Sequence, residues 1–203
     1  MSRRKKLPEV LTEEEQEKLL DQPNLRYPTS QRNFTMIKLM LDTGLRLSEA
    51  TNLKWKHIDL MTGKLMVREG KGAKDRTLWT GEEVIQAIQE WKERQIKELE
   101  EREINKKPEY VFTTLKGTKI KNRYVRKMVK RTAEKAGINK DISPHTLRHT
   151  FATDLYRETG KIRMVQKALG HADLSTTMIY THIVDDELEE AMKNFRNTKR
   201  KVG

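Results

Sequence analysis

The sequence contains no cysteine, few aromatic residues and no long apolar run. Its 203 residues include 5 prolines and 10 glycines, and aromatic side chains make up 6%. The absence of cysteine excludes disulfides, thiolate zinc sites and a cysteine nucleophile. No segment approaches the roughly 18 apolar residues of a membrane-spanning helix, and the opening MSRRKKLPEV lacks the apolar core of a secretion signal. The sequence therefore predicts a cytoplasmic protein.

Charge, by contrast, is abundant, and its excess is positive. Lysine and arginine number 42 against 30 acidic residues, which gives a formal net charge of +12. An excess of this size favours a polyanionic partner, and nucleic acid first, because clustered cations neutralise the phosphates of a duplex. The alternative is a solvated, highly charged surface of the kind that thermophile proteins carry.

Hydrophobic periodicity predicts a mainly α fold with a small antiparallel β-sheet. We expect one globular domain at 11–182, with a basic tail at 1–10 and a C-terminal helix and tail at 183–203. Helices are predicted in LTEEEQEKLL, RNFTMIKLMLDTG, a short segment from Ser48, residues 82–105, NRYVRKMVKRTAEKAG, SPHTLRHTFATDLY, IRMVQKALG, STTMIYTH and DDELEEAMKNFRNTKRK. The runs KLMVRE and DRTLWT, joined through GKGAK, predict two strands, and YVFTT predicts another strand or a bridging segment.

The segment HTLRH places a histidine and an arginine on one face of a predicted helix start. His145 and Arg148 are three residues apart, one turn along a helix that Ser143 would cap. The first turn of a helix favours an anion, because its free backbone N–H groups and the helix dipole both point toward it. The pair is therefore a candidate phosphate cradle; the simpler interpretation is a surface pair beside an acidic neighbour.

The segment TGLRLSE predicts a second arginine near the phosphate site, with its side chain oriented by a tight turn. Arg46 lies in a tight turn between a helix stop at Gly44 and a predicted helix cap at Ser48, where Glu49 can hold it. A guanidinium binds a phosphate through two parallel hydrogen bonds, which lysine does less well. The alternative is a local Arg–Glu ion pair without further function.

The segment GKGAKDR places a lysine at the tip of the predicted hairpin. It is not a nucleotide-binding loop of the GxxxxGK[ST] type, because the spacing is wrong. Lys71, between two glycines, could enter a groove and donate a proton. The alternative is an ordinary solvated lysine in a turn.

The segment LGHADLSTTMIYTH sets His171 nine residues before Tyr180. A phenol has a pKa near ~10, so it attacks phosphorus only where its proton is accepted and the developing charge is stabilised. A tyrosine at helical spacing is more often a packing residue. Here two arginines, a lysine and two histidines could supply the required surroundings.

Taken in order, these segments resemble the catalytic domain of the tyrosine recombinases, the family of phage integrases and Xer-type recombinases. The family's order is Arg, Glu or Asp, Lys, His-x-x-Arg, His or Trp, then Tyr. The matching residues are Arg46, Glu49, Lys71, His145, Arg148, His171 and Tyr180. Each segment is weak alone, but the filled order is highly specific, and the match covers about residues 11–182.

The resemblance implies a reaction on DNA without a metal or cofactor. Tyr180 would attack the scissile phosphate to form a 3′-phosphotyrosyl bond, and Lys71 would protonate the leaving 5′-oxygen. His145 would accept or shuttle the proton of the phenol. The groups implied around the non-bridging oxygens are Arg46, Arg148 and His171, with Glu49 orienting its neighbours.

The resemblance also implies double-stranded DNA as partner and assembly into dimers or tetramers on it. Predicted DNA contacts are Lys74, Arg76, Arg123, Arg126, Lys127 and Lys130. The apolar stripe of Leu188, Met192 and Phe195 would either fold back on its own domain or dock into a neighbouring protomer. The remaining histidines, predicted to be structural, are His57, His149 and His182.

One departure from the family is the missing N-terminal helical domain that, with the catalytic domain, clamps around DNA. Because the catalytic pattern begins within about a dozen residues, we expect either an excised domain or a minimal recombinase. The rival functions are relaxation of DNA by a type IB topoisomerase and regulation by a non-catalytic DNA-binding protein. A structural or RNA-binding role is less favoured.

Overall fold

The computed structural model of the protein describes residues 7–68 and 75–199, and this part is mainly helical with one small sheet. The helices are α1 (Glu13–Asp21), α2 (Pro28–Thr43), α3 (Leu47–Asn52), α4 (Glu82–Glu100), α5 (Asn122–Lys135), α6 (Pro144–Thr159), α7 (Ile162–Leu169) and α8 (Ile179–Lys199). The strands are β1 (Ile58–Asp59), β2 (Lys64–Val67) and β3 (Arg76–Trp79). The predicted fold class is confirmed.

Several helix ends lie where the sequence predicts them. Thr12 accepts a hydrogen bond from the backbone N–H of Glu15, whose carboxylate accepts from Thr12 in return, so α1 begins with a capping box. Ser143 caps α6 ahead of Pro144 at its first position. Gly170 ends α7 in the left-handed conformation, with φ at +66°.

Other boundaries differ from the prediction. The prediction that Ser48 caps the short third helix is wrong: α3 begins at Leu47, and the capping position is Arg46. The second half of α4 is rich in charged residues, yet Gln95 and Glu98 in it are buried. Glu98 is held there by ion pairs with arginines one turn away on either side.

The three strands form an antiparallel sheet in the order β1-β2-β3. In the β2–β3 hairpin, Leu65 pairs with Leu78 and Val67 pairs with Arg76. Alternate residues of β2 point inward, as expected for a sheet with one covered face. The segment YVFTT is not a strand of this sheet; it forms two isolated bridges, Tyr110 with Lys54 and Thr113 with Lys119.

The apolar side chains form two clusters that share α6. In the larger cluster α2 packs against α4 and α6, around side chains such as Ile37, Trp91 and Leu147. The smaller cluster lies between α6, α7 and α8 and consists of Ala152, Val165, Leu169, Tyr180 and Ile183. In the described part of the chain, every helix is too short or too polar to cross a membrane.

Candidate active site

The turn between α2 and α3 aims the first arginine. Gly44 ends α2 at φ +61°, and the next helix begins three residues later, at Leu47. The backbone N–H of Arg46 donates to Glu49 Oε2 at 2.7 Å, and its guanidinium Nη1 donates to Oε1 at 2.9 Å. Glu49 thus fixes both ends of the arginine, whose side chain remains 35% exposed. The predicted Arg46–Glu49 contact is present.

Arg148 lies deeper and joins two helix ends. Its Nη1 donates to the carbonyl of Gly44 at 2.6 Å, and its Nη2 donates to the carbonyl of Leu169 at 2.7 Å. Burial lowers the pKa of Arg148 to about 10, and the nearby charge of Arg46 adds to that lowering. The guanidinium is still protonated at neutral pH, so it brings a positive charge into the floor of the site.

His171 is held in one tautomer by its two neighbours. Arg148 Nη2 lies 3.2 Å from His171 Nε2, and Thr177 Oγ1 lies 3.0 Å from Nδ1. A guanidinium can only donate, so we assign Nε2 as the acceptor and place the proton on Nδ1, facing the threonine. Burial, followed by the charges of Arg148 and Arg46, lowers the pKa of His171 to about 4. The ring is therefore neutral near pH 7.

Tyr180 lies in the first turn of α8 with its ring buried in the smaller apolar cluster. Its hydroxyl oxygen is 3.0 Å from His149 Nδ1, and the two rings are tilted with centroids 5.8 Å apart. Burial raises the pKa of Tyr180 to about 12, and Arg148 offsets part of that rise. The phenol is therefore protonated at neutral pH and shielded from solvent.

His145 and His149 occupy successive turns of α6, and it is His149 that reaches the phenol. His145 is exposed at the start of the helix. His149 is predicted from the sequence to be structural, and no local pattern relates it to Tyr180, 31 residues away. Only the packing of α8 on α6 brings the two side chains together.

Arg76 was predicted to contact DNA, but its side chain is only 7% exposed. Its Nη1 and Nη2 donate to Glu49 Oε1 and Oε2, each at 2.8 Å, and its Nε donates to the carbonyl of Ala168 at 2.9 Å. A guanidinium in this position is part of the site's framework rather than of the surface. No sequence pattern indicates this contact, apart from the position of Arg76 at the base of the predicted hairpin.

The remaining predicted DNA contacts have different positions. The exposed side chains of α5 include four of the predicted DNA contacts, Arg123, Arg126, Lys127 and Lys130. Its opposite face, including Val125 and Val129, is buried, so these four cations lie on the solvent side of the helix. Lys71 and Lys74 lie outside the described residues.

The assembled site carries a net positive charge. Arg46, Arg76 and Arg148 surround a single carboxylate, Glu49, whose own burial acts to raise its pKa. The hydrogen bonds and charge of Arg76, followed by the hydrogen bonds of Arg46, outweigh burial and hold the pKa of Glu49 at about 2. A cluster with more cations than anions suits a phosphodiester. Within residues 7–68 and 75–199, no three histidine or carboxylate side chains come together as metal ligands.

Comparison with known proteins gives one family and a consistent set of relatives. The model of the phage integrase family matches residues 9–187. Tyrosine recombinase XerC of Oceanobacillus iheyensis is 36% identical over 187 residues, which is 92% of this chain and 61% of that protein. Tyrosine recombinase XerD of Staphylococcus aureus is 36% identical over 191 residues, 94% of this chain and 63% of that protein. The chain thus spans about three fifths of the length of these relatives.

Solved structures agree with the sequence matches. The XerA recombinase superposes with a TM-score of 0.79 at 32% identity, over 95% of this chain and 66% of that one. The XerH recombinase in a post-cleavage complex with its palindromic difH substrate gives 0.77 at 36% identity, over 94% and 54%. The catalytic domain of bacteriophage HP1 integrase gives 0.63 at 25% identity, over 92% of this chain and 94% of that domain.

Proposed function

Because the chain belongs to the phage integrase family, we propose that it is the catalytic part of a site-specific DNA recombinase that uses Tyr180 as nucleophile. The single observation that carries the proposal is the meeting of two arginines at the end of α7, beside His171 and ahead of the helix that carries the phenol. Arg46 and Arg148 donate to the carbonyls of Gly170 and Leu169, next to the histidine that precedes α8. The names of the relatives reported above favour recombination over a regulatory or topoisomerase role.

In the proposed reaction, the phenol of Tyr180 gives its proton to His145, and its oxygen attacks the scissile phosphorus of one DNA strand. The bond from phosphorus to the 5′-oxygen breaks, and Lys71 gives its proton to that oxygen. The products are a 3′-phosphotyrosyl bond and a free 5′-hydroxyl. Attack by the 5′-hydroxyl of a second strand reverses these steps and rejoins the DNA, so the number of phosphoester bonds is unchanged.

The cations lower the barrier by matching the charge that develops on the phosphorane oxygens. Arg46 is the more exposed of the two site arginines, so it reaches the phosphate from the solvent side, and Arg148 forms the floor. Preorganised donors of this kind are each worth about 10²–10³ in rate. Once an anion binds, the neutral His171 gains a negative neighbour, which favours the donor form that the phosphate needs.

The resting phenol must leave its pocket before it can attack. It is buried, and its hydroxyl is occupied by His149. We assign the movement to the first turn of α8, because the chain between His171 and this turn contains only a short 3-10 turn, Leu174–Thr176. DNA bound in the site brings its scissile phosphate to the arginines and favours the moved state, in which the phenol reaches that phosphate.

The proposal is tested by trapping the covalent intermediate. Nicked duplexes with randomised sequences are incubated with the protein, and covalent complexes are recovered under denaturing conditions. We expect an adduct from the unaltered chain and none from Tyr180→Phe, with DNA affinity retained because phosphate contacts supply most of it. The matched control is Tyr156→Phe, which removes a hydroxyl from another tyrosine beside the same apolar cluster. An adduct that persists in Tyr180→Phe contradicts the proposal.

The DNA sequence recovered in the covalent complexes, here called the selected sequence, is then used to distinguish recombination from topoisomerase activity. Two copies placed on one plasmid are expected to recombine, giving excised or inverted products. Relaxation of a supercoiled plasmid that carries one copy, with no product from two copies, would favour the topoisomerase function instead.

A further inference from the structure

The carbonyl groups at the end of α7 accept hydrogen bonds from three arginines, which come from three different parts of the fold. The carbonyl of Ala168 accepts from Arg76 of β3, at 2.9 Å from Nε. The next carbonyl, of Leu169, accepts from Arg148 of α6 at 2.7 Å, and that of Gly170 accepts from Arg46 at 3.4 Å. The last carbonyls of a helix have no partner within it and carry the negative end of its dipole. This turn therefore fixes three guanidiniums side by side.

A second connection joins two of the same arginines through Glu49. Oε1 accepts from Nη1 of Arg76 at 2.8 Å and from Nη1 of Arg46 at 2.9 Å. Oε2 accepts from Nη2 of Arg76 at 2.8 Å and from the backbone N–H of Arg46 at 2.7 Å. The carboxylate is 6% exposed, so the charges interact in surroundings of low dielectric and their geometry is well defined.

Arg76 differs from Arg46 in what it can reach. The side chain of Arg46 is 35% exposed, whereas that of Arg76 is 7% exposed behind the carboxylate. A phosphate that approaches from solvent meets Arg46 first, and Arg76 stays behind Glu49. Arg76 can therefore act on the reaction through its neighbours, without a contact to the substrate of its own.

We infer that Arg76 is a positioning residue, which holds Glu49 and the end of α7 so that Arg46 and Arg148 point at one phosphate. The inference rests on the proposed function. With Arg76 present, Glu49 is shared between two guanidiniums, and Arg46 keeps the direction that its turn and Glu49 give it. Without it, Glu49 has lost its bidentate partner and draws Arg46 inward to satisfy the buried carboxylate.

The test is single-turnover formation of the covalent DNA complex by Arg76→Gln. We expect cleavage to slow about 10²-fold at saturating DNA, since a displacement of about 1 Å in a site costs that much. DNA affinity and its dependence on salt should match the unaltered chain. The rate should also fall at mildly acidic pH in the variant alone, because Glu49 loses the cation that most lowers its pKa. Arg76→Lys keeps the positive charge but cannot donate two parallel hydrogen bonds to Glu49. Its cleavage rate should therefore lie between that of Arg76→Gln and that of the unaltered chain.

A double variant separates positioning from mere stability. If Arg76 acts through Glu49, then in a Glu49→Gln background the further change Arg76→Gln should slow cleavage less than about threefold. This pair also removes both buried charges, so it folds even if Arg76→Gln alone does not. The matched control is Arg102→Gln, since Arg102 pairs with Glu98, another carboxylate buried between two arginines, on α4. It should leave the cleavage rate unchanged.

Three outcomes overturn the inference: a normal cleavage rate in Arg76→Gln, weaker DNA binding with a normal rate at saturation, or a full additional loss in the Glu49→Gln background. Each presumes that the unaltered chain forms the adduct and that Tyr180→Phe does not. Failure of that control would refute the proposed function instead, so the two failures are distinguishable.

Discussion

The lowered pKa of His171 makes the stability of the protein depend on pH. Its folded pKa is about 4 against an ordinary value of 6.5, with burial and then Arg148 as the causes. Between these values the unfolded chain binds more protons than the folded one, so the free energy of unfolding rises with pH. We predict that the stability of the protein falls as pH is lowered from 6.5 to 4, and that His171→Asn has a shallower fall.

Urea unfolding at a series of pH values measures this difference. His149, whose pKa is also lowered, and Glu49 contribute to the slope in both proteins, so the comparison isolates His171. Equal slopes would show that the imidazole is not held neutral in the folded state.

The contact between His149 and Tyr180 makes a second prediction for single residues. Removing one partner leaves the other polar group buried without a hydrogen bond, at a cost of about 1–3 kcal/mol. We expect Tyr180→Phe and His149→Leu each to lower the free energy of unfolding, and the double variant to lose about 1 kcal/mol less than their sum. A double-mutant cycle by urea unfolding tests this, and strict additivity would argue against the contact.

How far single residues could be predicted depended on whether their partners are local. Glu49 lies one helical turn after Arg46, so spacing alone predicts their contact. Tyr180 lies 31 residues after His149, and no short-range pattern relates the two. The burial of Arg76 could not be predicted for the same reason, because it depends on where β3 meets the end of α7.

At the scale of elements, the end of α2 determines where both site arginines lie. Gly44 has φ at +61°, and its carbonyl accepts from Arg148. A Cβ at this position would lie 2.3 Å from Phe151 Cδ1. Glycine is required here for its backbone conformation and for the space that the aromatic ring occupies.

We predict that Gly44→Ala destabilises the protein more than Gly160→Ala does. Both glycines have positive φ, which costs alanine about 1–2 kcal/mol. Nothing lies within 4 Å of a Cβ at Gly160, whereas Phe151 must move at Gly44, at a further cost of about 1–3 kcal/mol. Thermal unfolding of the two variants provides the comparison. Equal losses would show that the close packing at Gly44 is relieved without cost.

Element ends with strong local signals were predicted well, and those without them were not. The capping box at Thr12 and the Ser143–Pro144 pair fix two helix starts from sequence alone. The separate helices predicted in STTMIYTH and DDELEEAMKNFRNTKRK are instead one element, α8, after a short 3-10 turn. The acidic run after His182 resembles a helix start, but no residue there interrupts the helical backbone.

At the scale of the whole molecule, the outer part of α8 is the candidate surface for assembly. Leu188 and Met192 are 59% and 58% exposed, one turn apart, and Arg157 of α6 forms an ion pair with Glu187 beside them. We predict that Leu188→Ser with Met192→Ser leaves the isolated protein's stability unchanged and prevents assembly into dimers or tetramers on DNA.

Light scattering after size exclusion, with and without the selected DNA, measures the assembly. The ion pair with Glu187 is kept in this variant, so a loss of assembly reports on the apolar stripe rather than on detachment of α8. Assembly that survives both substitutions would leave the stripe without this function.

The most direct measurement concerns the atom that becomes attached to DNA. The trapped complex is digested with nuclease and protease, and the peptide that retains a nucleotide remnant is sequenced by mass spectrometry. We predict the phosphate on Tyr180 alone among the five tyrosines of the chain, linked to the 3′ side of the cleaved strand. A remnant on another residue, or a 5′ linkage, would contradict the assignment of this site.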